Sequence, residues 1–361
     1  MEQPKGFKIH GQEQKVLCLC QAIYGLKQAA LAWWKELLAS MRIIGFERSE
    51  SDAGIFIHRA SNGDIVVAMI YVDDSGSMSN NVTLVREKKK AFMGIWECHN
   101  LSKLNEFLGI TIRRSGRKII LDQKAYLTKV LDGFSMTNAV TANMPLPHGY
   151  TPVAHTGNPD PTLWIQYQAI ISSLLYLIQF SANPSKKHFE QAKYICHYLA
   201  GTQDYTMVFD VNTNEGLIAH SDSNWTADIN NCCSITGYFF KLAGSLVSWL
   251  SHAPKTIALS STKAEYMVIS DCCQQAMWIT NLFRENGFSA LLITICGNNQ
   301  GSLFISSNPV QEKWTKHIYI HYHYMWECIK DNKVPVVFVP GNDNLADMFT
   351  KNLDRLKFIK F

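Results

Sequence analysis

Apolar positions recur along the chain in two periods. Between Lys27 and Ser40, the residues Leu31, Trp34, Leu37 and Leu38 return at steps of three and four, which predicts a helix. Asp52–His58 and Asp64–Val72 read as strands joined by the turn residues Ser61, Asn62 and Gly63. A short strand end is expected at Leu17–Cys20 and a helix at Thr83–Met93. A hairpin is expected from Phe107–Ile112 and Lys118–Leu121 around Ser115-Gly116, then a helix at Gln123–Leu131. Pro145, Pro147, Pro152, Pro159 and Pro161, with Gly149 and Gly157, mark Asn143–Pro161 as a linker. Helices follow at Ile165–Phe180 and Lys186–Ala200. From about Thr206 strands and helices alternate. Strands are predicted at Met207–Asp210, Leu217–His220, Gly237–Ala243, Leu246–Ser251, Thr256–Leu259, Leu291–Cys296 and Val336–Val339. Helices are predicted from Thr262 to about Asn286, at Gln300–Ser306 and at His317–Lys330, with a final helical turn at Asn344–Thr350. The last block is therefore a mixed α/β sheet domain.

Composition adds boundaries to this picture. At 361 residues the chain is long enough for two or three domains of ~150 residues. Its 47% hydrophobic and 18% charged residues exclude a charge-extended disordered chain. The net charge of +4 permits a polyanionic partner without demanding one. No window reaches the ~18 apolar residues of a membrane span, and no cationic, apolar leader opens the chain. An intracellular, non-secreted protein without a membrane partner is expected, and its ten cysteines then read as free thiols. His317, His321, His323 and Cys328 have ligand-type chemistry at close spacing. The cluster reads either as a zinc site or as a Tyr/His-rich helix half-buried against a sheet.

Several carboxylates stand at element ends. Asp73 and Asp74 directly follow the apolar run Ile65–Val72. Adjacent like charges repel unless a cation offsets them, and paired carboxylates hold the ions of two-metal phosphoryl transfer. A plain hairpin turn uses Asp as well. Asp222 follows a strand, Glu265 opens the long helix and Asp347 lies in the final helical segment. Such acids can converge on a metal, and each also has a structural reading. Asp222 suits a turn, Asp347 a helix start, and Thr262-Lys263-Ala264-Glu265 a capping box that would give Glu265 a purely structural role.

These residues lie inside longer strings. Ala22-Ile23-Tyr24-Gly25-Leu26-Lys27-Gln28-Ala29 with Ala32-Trp33 resembles the "LYGLKQA-x-x-AW" string of copia-type retrotransposon reverse transcriptases. Tyr71-Val72-Asp73-Asp74 resembles the "YVDD" palm motif, Phe107-Leu108-Gly109-Ile110 the "FLGI" hairpin near the primer grip, and Tyr198-Leu199-Ala200-Gly201-Thr202 the connecting "YLxGT" string. The last block resembles the fused RNase H through Ser221-Asp222, Ser234–Tyr238, Val247-Ser248-Trp249, Ala258–Thr262, Ala264-Glu265-Tyr266, Asn308-Pro309-Val310, Thr315–Ile318 and Leu345–Lys351. The ordered series spans essentially the whole chain. The resemblance implies residues 1–134 as a partial reverse transcriptase (palm remainder and thumb), 135–205 as linker and helical connection, and 206–361 as an RNase H-like domain with a mixed five-stranded sheet. It implies Asp73 and Asp74 as palm metal ligands, and Asp222, Glu265 and Asp347 as three of the four RNase H carboxylates. Tyr71, Val72 and Gly109 would contact the primer end or nucleotide. Mg2+ or Mn2+ is the implied cofactor, and an RNA–DNA hybrid or a DNA/RNA template-primer the implied partner. In the family such proteins occupy the cytoplasm, virus-like particles or the nucleus. The basic run Lys88–Lys90 reads either as phosphate-facing or as a solvated helix face.

Three departures bear on activity. Met1–Phe7 resembles the segment just after the family's first palm aspartate, so that acid and the fingers are expected to be absent. Gly297-Asn298-Asn299-Gln300 stands where the family reads Gly-Asp-Asn-Gln, which makes Asn298 a degenerate catalytic position. The run Leu174–Ile178 passes directly into Gln179–Pro184 without the family's "RPD" segment. Where the family commonly has Arg, this chain has Cys232, Cys233, His321 and Trp326, and His197 and Trp314 fit the same pattern. Lys263 takes a usual Glu position. Many such changes need one transition, the pattern of a decaying, pseudogene-like element. The expectation is a catalytically impaired reverse transcriptase/RNase H. The alternatives are an RNase H active despite Asn298 and a non-enzymatic nucleic-acid binder.

Overall fold

The computed structural model describes every residue except 1, 4, 13, 148, 151–152, 175–182, 213–215, 228–232, 255, 290–291, 308–318 and 361. Two compact units form, Met1–Ser102 and Lys103–Phe361.

In the first unit, β1 (Glu47–Arg48), β2 (Ile55–Arg59), β3 (Ile65–Tyr71) and β4 (Asp74–Ser79) pair in that order as an antiparallel sheet. Alternation along β3 turns Val66, Ala68 and Ile70 inward. Against them pack Leu37 and Met41 of α1 (Ala29–Ile43), and partly buried Leu84, Val85 and Phe92 of α2 (Val82–Ile95). The Asn81 side chain caps α2 by accepting from the Thr83 and Leu84 amides. The sequence pattern does not predict β4. Its run Asp74-Ser75-Gly76-Ser77-Met78-Ser79 is poor in strand formers, and pairing with the apolar β3 makes it a strand. The strand end expected at Leu17–Cys20 does not form; the segment is irregular and exposed. Within the basic run, Lys88 Nζ donates to Ile44 O at 3.0 Å and Lys89 Nζ to Asn100 Oδ1 at 2.8 Å.

In the second unit, β5 (Glu106–Phe107), β6 (Ile110–Ser115) and β7 (Lys118–Asp122) form the expected hairpin region. Met207–Asp210, expected in the last sheet, instead joins it as β8. The register runs from Leu121↔Met207 to Lys118↔Asp210, and Lys118 pairs with Asp210 at 3.2 Å. Helices α3 (Lys124–Gly133), α4 (Pro161–Leu174) and α5 (Lys186–Thr202) share a core that includes Leu131, Tyr167, Ile170, Ile171, Ala192 and Ile195. The predicted extension of α4 over 175–180 lies outside the described residues.

The expected mixed five-stranded sheet is present. Its strands are β9 (Ile218–Asn224), β10 (Ile235–Leu242), β11 (Ser245–His252), β12 (Thr294–Gly297) and β13 (Val336–Phe338), in the order β11-β10-β9-β12-β13. The pairs β9–β10 and β10–β11 are antiparallel, whereas β9–β12 and β12–β13 are parallel. Parallel neighbours need a crossover. The first is α6 (Ser261–Glu285), and the second contains α7 (Gln300–Ser307) and α8 (Tyr319–Lys330). Val268, Ile269, Cys272 and Ala276 of α6 share one core with Ala219, Phe240 and Ile295 of the sheet. Cys272, Cys273 and Cys328 are free thiols buried there as small apolar side chains, and Cys296 of β12 is a further buried free thiol. The candidate zinc cluster is not described as a group. His317 lies outside the described residues, as do the side chains of His321 and His323.

Two expectations need correction. Thr256–Leu259 is not a strand: Ala258 O accepts from Trp225 Nε1 at 2.9 Å, and Ile257 and Leu259 are exposed. The helix α6 is capped not at Thr262 but at Ser260, whose hydroxyl accepts from the Lys263 amide at 3.2 Å. Glu265 therefore lies outside the cap. Lys263 holds the position from which an acid would reach back to the Ser260 amide. Changing Lys263→Glu completes the box and suits the helix dipole. The expected gain is about 1 kcal/mol in urea denaturation.

The chain end lies across the sheet. A 3-10 turn, Leu345–Phe349, precedes α9 (Arg355–Lys360). Asn344 Nδ2 donates to Ser221 O at 2.8 Å, Ser251 Oγ to Phe349 O at 2.6 Å and Asn224 Nδ2 to Thr350 O at 3.3 Å. The approach is closest at Gly237, where a Cβ would meet Thr350 Cγ2 at 2.7 Å and Phe349 Cβ at 2.8 Å. Gly237→Ala is expected to lower stability by ~1–3 kcal/mol, read by denaturant midpoint.

Candidate carboxylate sites

Two groups of acids stand out, one in each unit. In the first unit Tyr71 pairs with Asp74 across the two-residue turn Val72-Asp73. Val72 has φ +51°, a region where β-branched residues are rare. Tyr71, Val72, Asp73 and Asp74 are all exposed, and Asp73 Oδ1 accepts from Tyr24 Oη at 2.9 Å. That bond raises the Tyr24 phenol above its ordinary pKa. A glycine at position 72 removes the backbone strain. Val72→Gly is therefore expected to stabilise the protein by about 1 kcal/mol, measured as a raised melting temperature.

Gly109 occupies a comparable two-residue turn in the second unit. Phe107 pairs with Ile110, and Leu108 and Gly109 have φ +53° and +73°. Positive φ at both central residues is the I′ hairpin pattern.

The second group gathers at the end of β9. This strand pairs antiparallel with β10 and parallel with β12, so the strand order reverses there, and open sheets place ligand sites at such points. Register brings two site positions opposite each other. His220 pairs with Cys296, so Asp222 and Asn298 both lie two residues further on. Asn298 Nδ2 donates to Asp222 Oδ1 at 3.1 Å. Glu265, near the start of α6, and Asp347, in the 3-10 turn, complete the group. Asp222, Glu265 and Asp347 are 0%, 6% and 2% exposed.

Burial dominates the electrostatics. It pushes Glu265 up to about 8, and Asp222 adds to the rise while the Ser223 amide opposes it. Asp222 is also raised by burial, against the pull of Lys351 and Thr350. For Asp347 burial pushes upward, but Lys351 and Lys357 outweigh it and the carboxyl is lowered. Lys351 Nζ lies 2.6 Å from Asp347 Oδ1 and 3.2 Å from Asp222 Oδ2. Lys357 holds Asp347 Oδ2, and Thr350 Oγ1 donates to Asp222 Oδ2.

The three acids expected to converge are thus linked electrostatically, with Asn298 beside them. The sequence reading assigns no role to Lys351, Lys357 or Thr350. The one local signal is the i,i+4 spacing of Asp347 and Lys351. Among the described residues, no three His, Cys, Asp or Glu side chains form a ready-made metal group. The oxygen-only chemistry of these acids nonetheless fits a hard divalent cation, and the raised carboxyls of Asp222 and Glu265 mark acids whose ionised form such an ion would stabilise.

The palm-type hairpin and the five-stranded sheet define a class, reverse transcriptase joined to an RNase H-like domain. The sequence relatives agree. Residues 1–148 match the reverse transcriptase (RNA-dependent DNA polymerase) family. The chain is 32% identical over 382 residues to the Retrovirus-related Pol polyprotein from transposon RE1 of Arabidopsis thaliana, covering 100% of this chain and 26% of that protein. It is 30% identical over 383 residues to the corresponding polyprotein from transposon TNT 1-94 of Nicotiana tabacum, covering 99% and 28%. A foamy viral protease-reverse transcriptase, solved in complex with RNA/DNA hybrid, superposes with a TM-score of 0.41 at 12% identity, over 92% of this chain and 40% of that one. The chain belongs to the copia-type retrotransposon Pol family and corresponds to its reverse transcriptase/RNase H part. It spans about a quarter of the length of these curated relatives. Reverse transcriptases and RNases H depend in general on divalent metals. Among the described residues no helix is long and apolar enough to cross a membrane.

Proposed function

We propose that Asp222, Glu265 and Asp347 form a divalent-metal RNase H site that cleaves the RNA strand of an RNA–DNA hybrid, and that Asn298 impairs it. The observation that carries this reading is the 3.1 Å bond from Asn298 Nδ2 to Asp222 Oδ1. A carboxylate at position 298 would offer lone pairs to Mg2+ or Mn2+. The amide instead donates its N–H to an oxygen that such an ion needs. The chemistry a bound divalent cation supplies is Lewis-acid charge at the phosphodiester. Three residues of the chain would hold and orient it: Asp222 from near the end of the central strand, Glu265 from the crossover helix, and Asp347 from the segment tied down by Asn344.

The same reading makes Asp73 and Asp74 the palm acids, with Tyr71, Val72 and Gly109 at the primer end or nucleotide of a DNA/RNA template-primer. It follows the division into 1–134, 135–205 and 206–361. The openness of the Tyr71–Asp74 hairpin supports it, since a polymer end needs access to both carboxylates.

The test is cleavage of a labelled RNA–DNA hybrid by the full chain in Mg2+ and in Mn2+, beside Asn298→Asp. The aspartate is expected to raise the rate at least ~100-fold, since even an outer-shell partner of a metal site is worth about 10–100-fold. Adding Asp222→Asn to that variant is expected to abolish the gain. Equal cleavage with and without the aspartate would overturn the impairment. Hybrid binding without cleavage in either form would favour a non-enzymatic binder.

A further inference from the structure

Lys351 enters the C-terminal site from its solvent side. Its side chain is 36% exposed, while the carboxylates it meets are buried. Its Nζ contacts Asp347 Oδ1 at 2.6 Å and both oxygens of Asp222, Oδ2 at 3.2 Å and Oδ1 at 3.3 Å. The other oxygen of Asp347 is held by Lys357. Asn298 and Thr350 donate to the two oxygens of Asp222. Every oxygen of these two acids is therefore engaged, and a single ammonium bridges them.

An ammonium and a divalent cation draw on the same carboxylate lone pairs, and one excludes the other. We propose that Lys351 is the resident counterion of this site: it occupies, in the metal-free protein, the oxygens of Asp222 and Asp347 that a divalent cation takes, and it withdraws when the ion binds. The inference rests on the reading of those two acids as metal-holding groups. Withdrawal is sterically open, because a lysine head on a flexible four-carbon stem reaches solvent without moving the backbone. Asn298 favours the lysine further, since it brings no charge to compete for the ion. Occupancy by Lys351 then sets how much divalent ion the site demands.

The full chain is titrated with Mn2+ without nucleic acid, with free ion followed by electron paramagnetic resonance. Lys351→Met and Lys357→Met are compared. Lys351→Met keeps most of the apolar stem and is expected to bind Mn2+ roughly tenfold tighter or more. It is also expected to melt lower than the unmodified chain in EDTA and to regain stability in Mn2+. Lys357→Met frees one oxygen of one acid and gives a smaller gain. In the unmodified chain, labelling of Lys351 by an amine-reactive ester, read by mass spectrometry, is expected to rise on adding Mg2+; this needs no variant to fold. Unchanged or weaker Mn2+ affinity in Lys351→Met, with the unmodified chain binding the ion, overturns the counterion role and leaves the metal site standing. Labelling that stays constant while the ion binds does the same. Absence of Mn2+ binding in the unmodified chain and the variants overturns the metal site itself, and the inference with it.

Discussion

Taking an ionised carboxylate out of water costs several kcal/mol unless cations or hydrogen-bond donors meet it. The C-terminal unit buries three carboxyl groups near one sheet end, and much of its local architecture answers the cost of ionising them. Asp222 sits at the end of the central strand and cannot retreat to solvent, because its neighbours Ser221 and Ser223 are buried with it. Compensation has to be carried in, and it comes with the segment from Asn344 to Lys357. Asn344 ties that segment to Ser221 O, and the bare backbone of Gly237 lets Phe349 and Thr350 lie directly on β10. Thr350 and Lys351 then reach Asp222 from a position 128 or 129 residues away in the chain. Glu265 receives less of this compensation, and its carboxyl is accordingly the one pushed to about 8.

The hairpin at Tyr71–Asp74 solves a similar problem in the opposite way. Its two adjacent acids repel at short range, and exposure to water meets that repulsion in place of buried cations. The difficulty is moved into the backbone, where Val72 occupies a positive φ that a glycine would take without strain. In one unit the charges are buried and partnered; in the other they are hydrated and the turn is strained. Burial therefore does not unite the two groups; what they share is a place on or beside a core strand, Asp73-Asp74 at the β3–β4 turn and Asp222 near the end of β9.

That shared feature is local, which is why it was legible in the sequence. Asp73-Asp74 are located by the continuous apolar run Ile65–Val72 that they follow, whereas Asp222, expected just after a strand, lies inside β9 two residues before its end. The count of five strands came with the RNase H resemblance; the apolar pattern alone also put Met207–Asp210 and Thr256–Leu259 in that sheet, where neither belongs. The failures have a common physical source. The strand β4 was invisible because its serines and glycine carry no strand propensity and acquire the conformation from β3. Thr256–Leu259 carries a short apolar run of the kind strands show, yet its Ala258 carbonyl serves the Trp225 indole. The motif around Thr262 and Glu265 imitates a helix cap, but the helix is capped two residues too early for it, at Ser260. Each depends on a particular partner, β3 across a tight turn, the Trp225 indole, or the Ser260 hydroxyl, and periodicity does not encode partners.

The same limit governs the chemistry of the site. Acid positions are readable because carboxylates at strand ends are conspicuous. The charge state of those acids is decided by which cations fold onto them, and Lys351 and Lys357 are unremarkable basic residues until the chain closes. Asn298 shows the consequence. On the proposed reading it is, as a letter, a lost ligand, one charge fewer among acids that would hold a metal. Read in place, it is also a gained donor, because its amide meets an oxygen of Asp222 that an acid at that position would repel. The substitution therefore acts twice in the same direction, removing lone pairs from a cation and occupying those of its neighbour. A cluster with one acid fewer and two lysines in contact is poised closer to neutrality than one built of four carboxylates. Its demand for an external cation falls by the same physics that makes the buried charge tolerable.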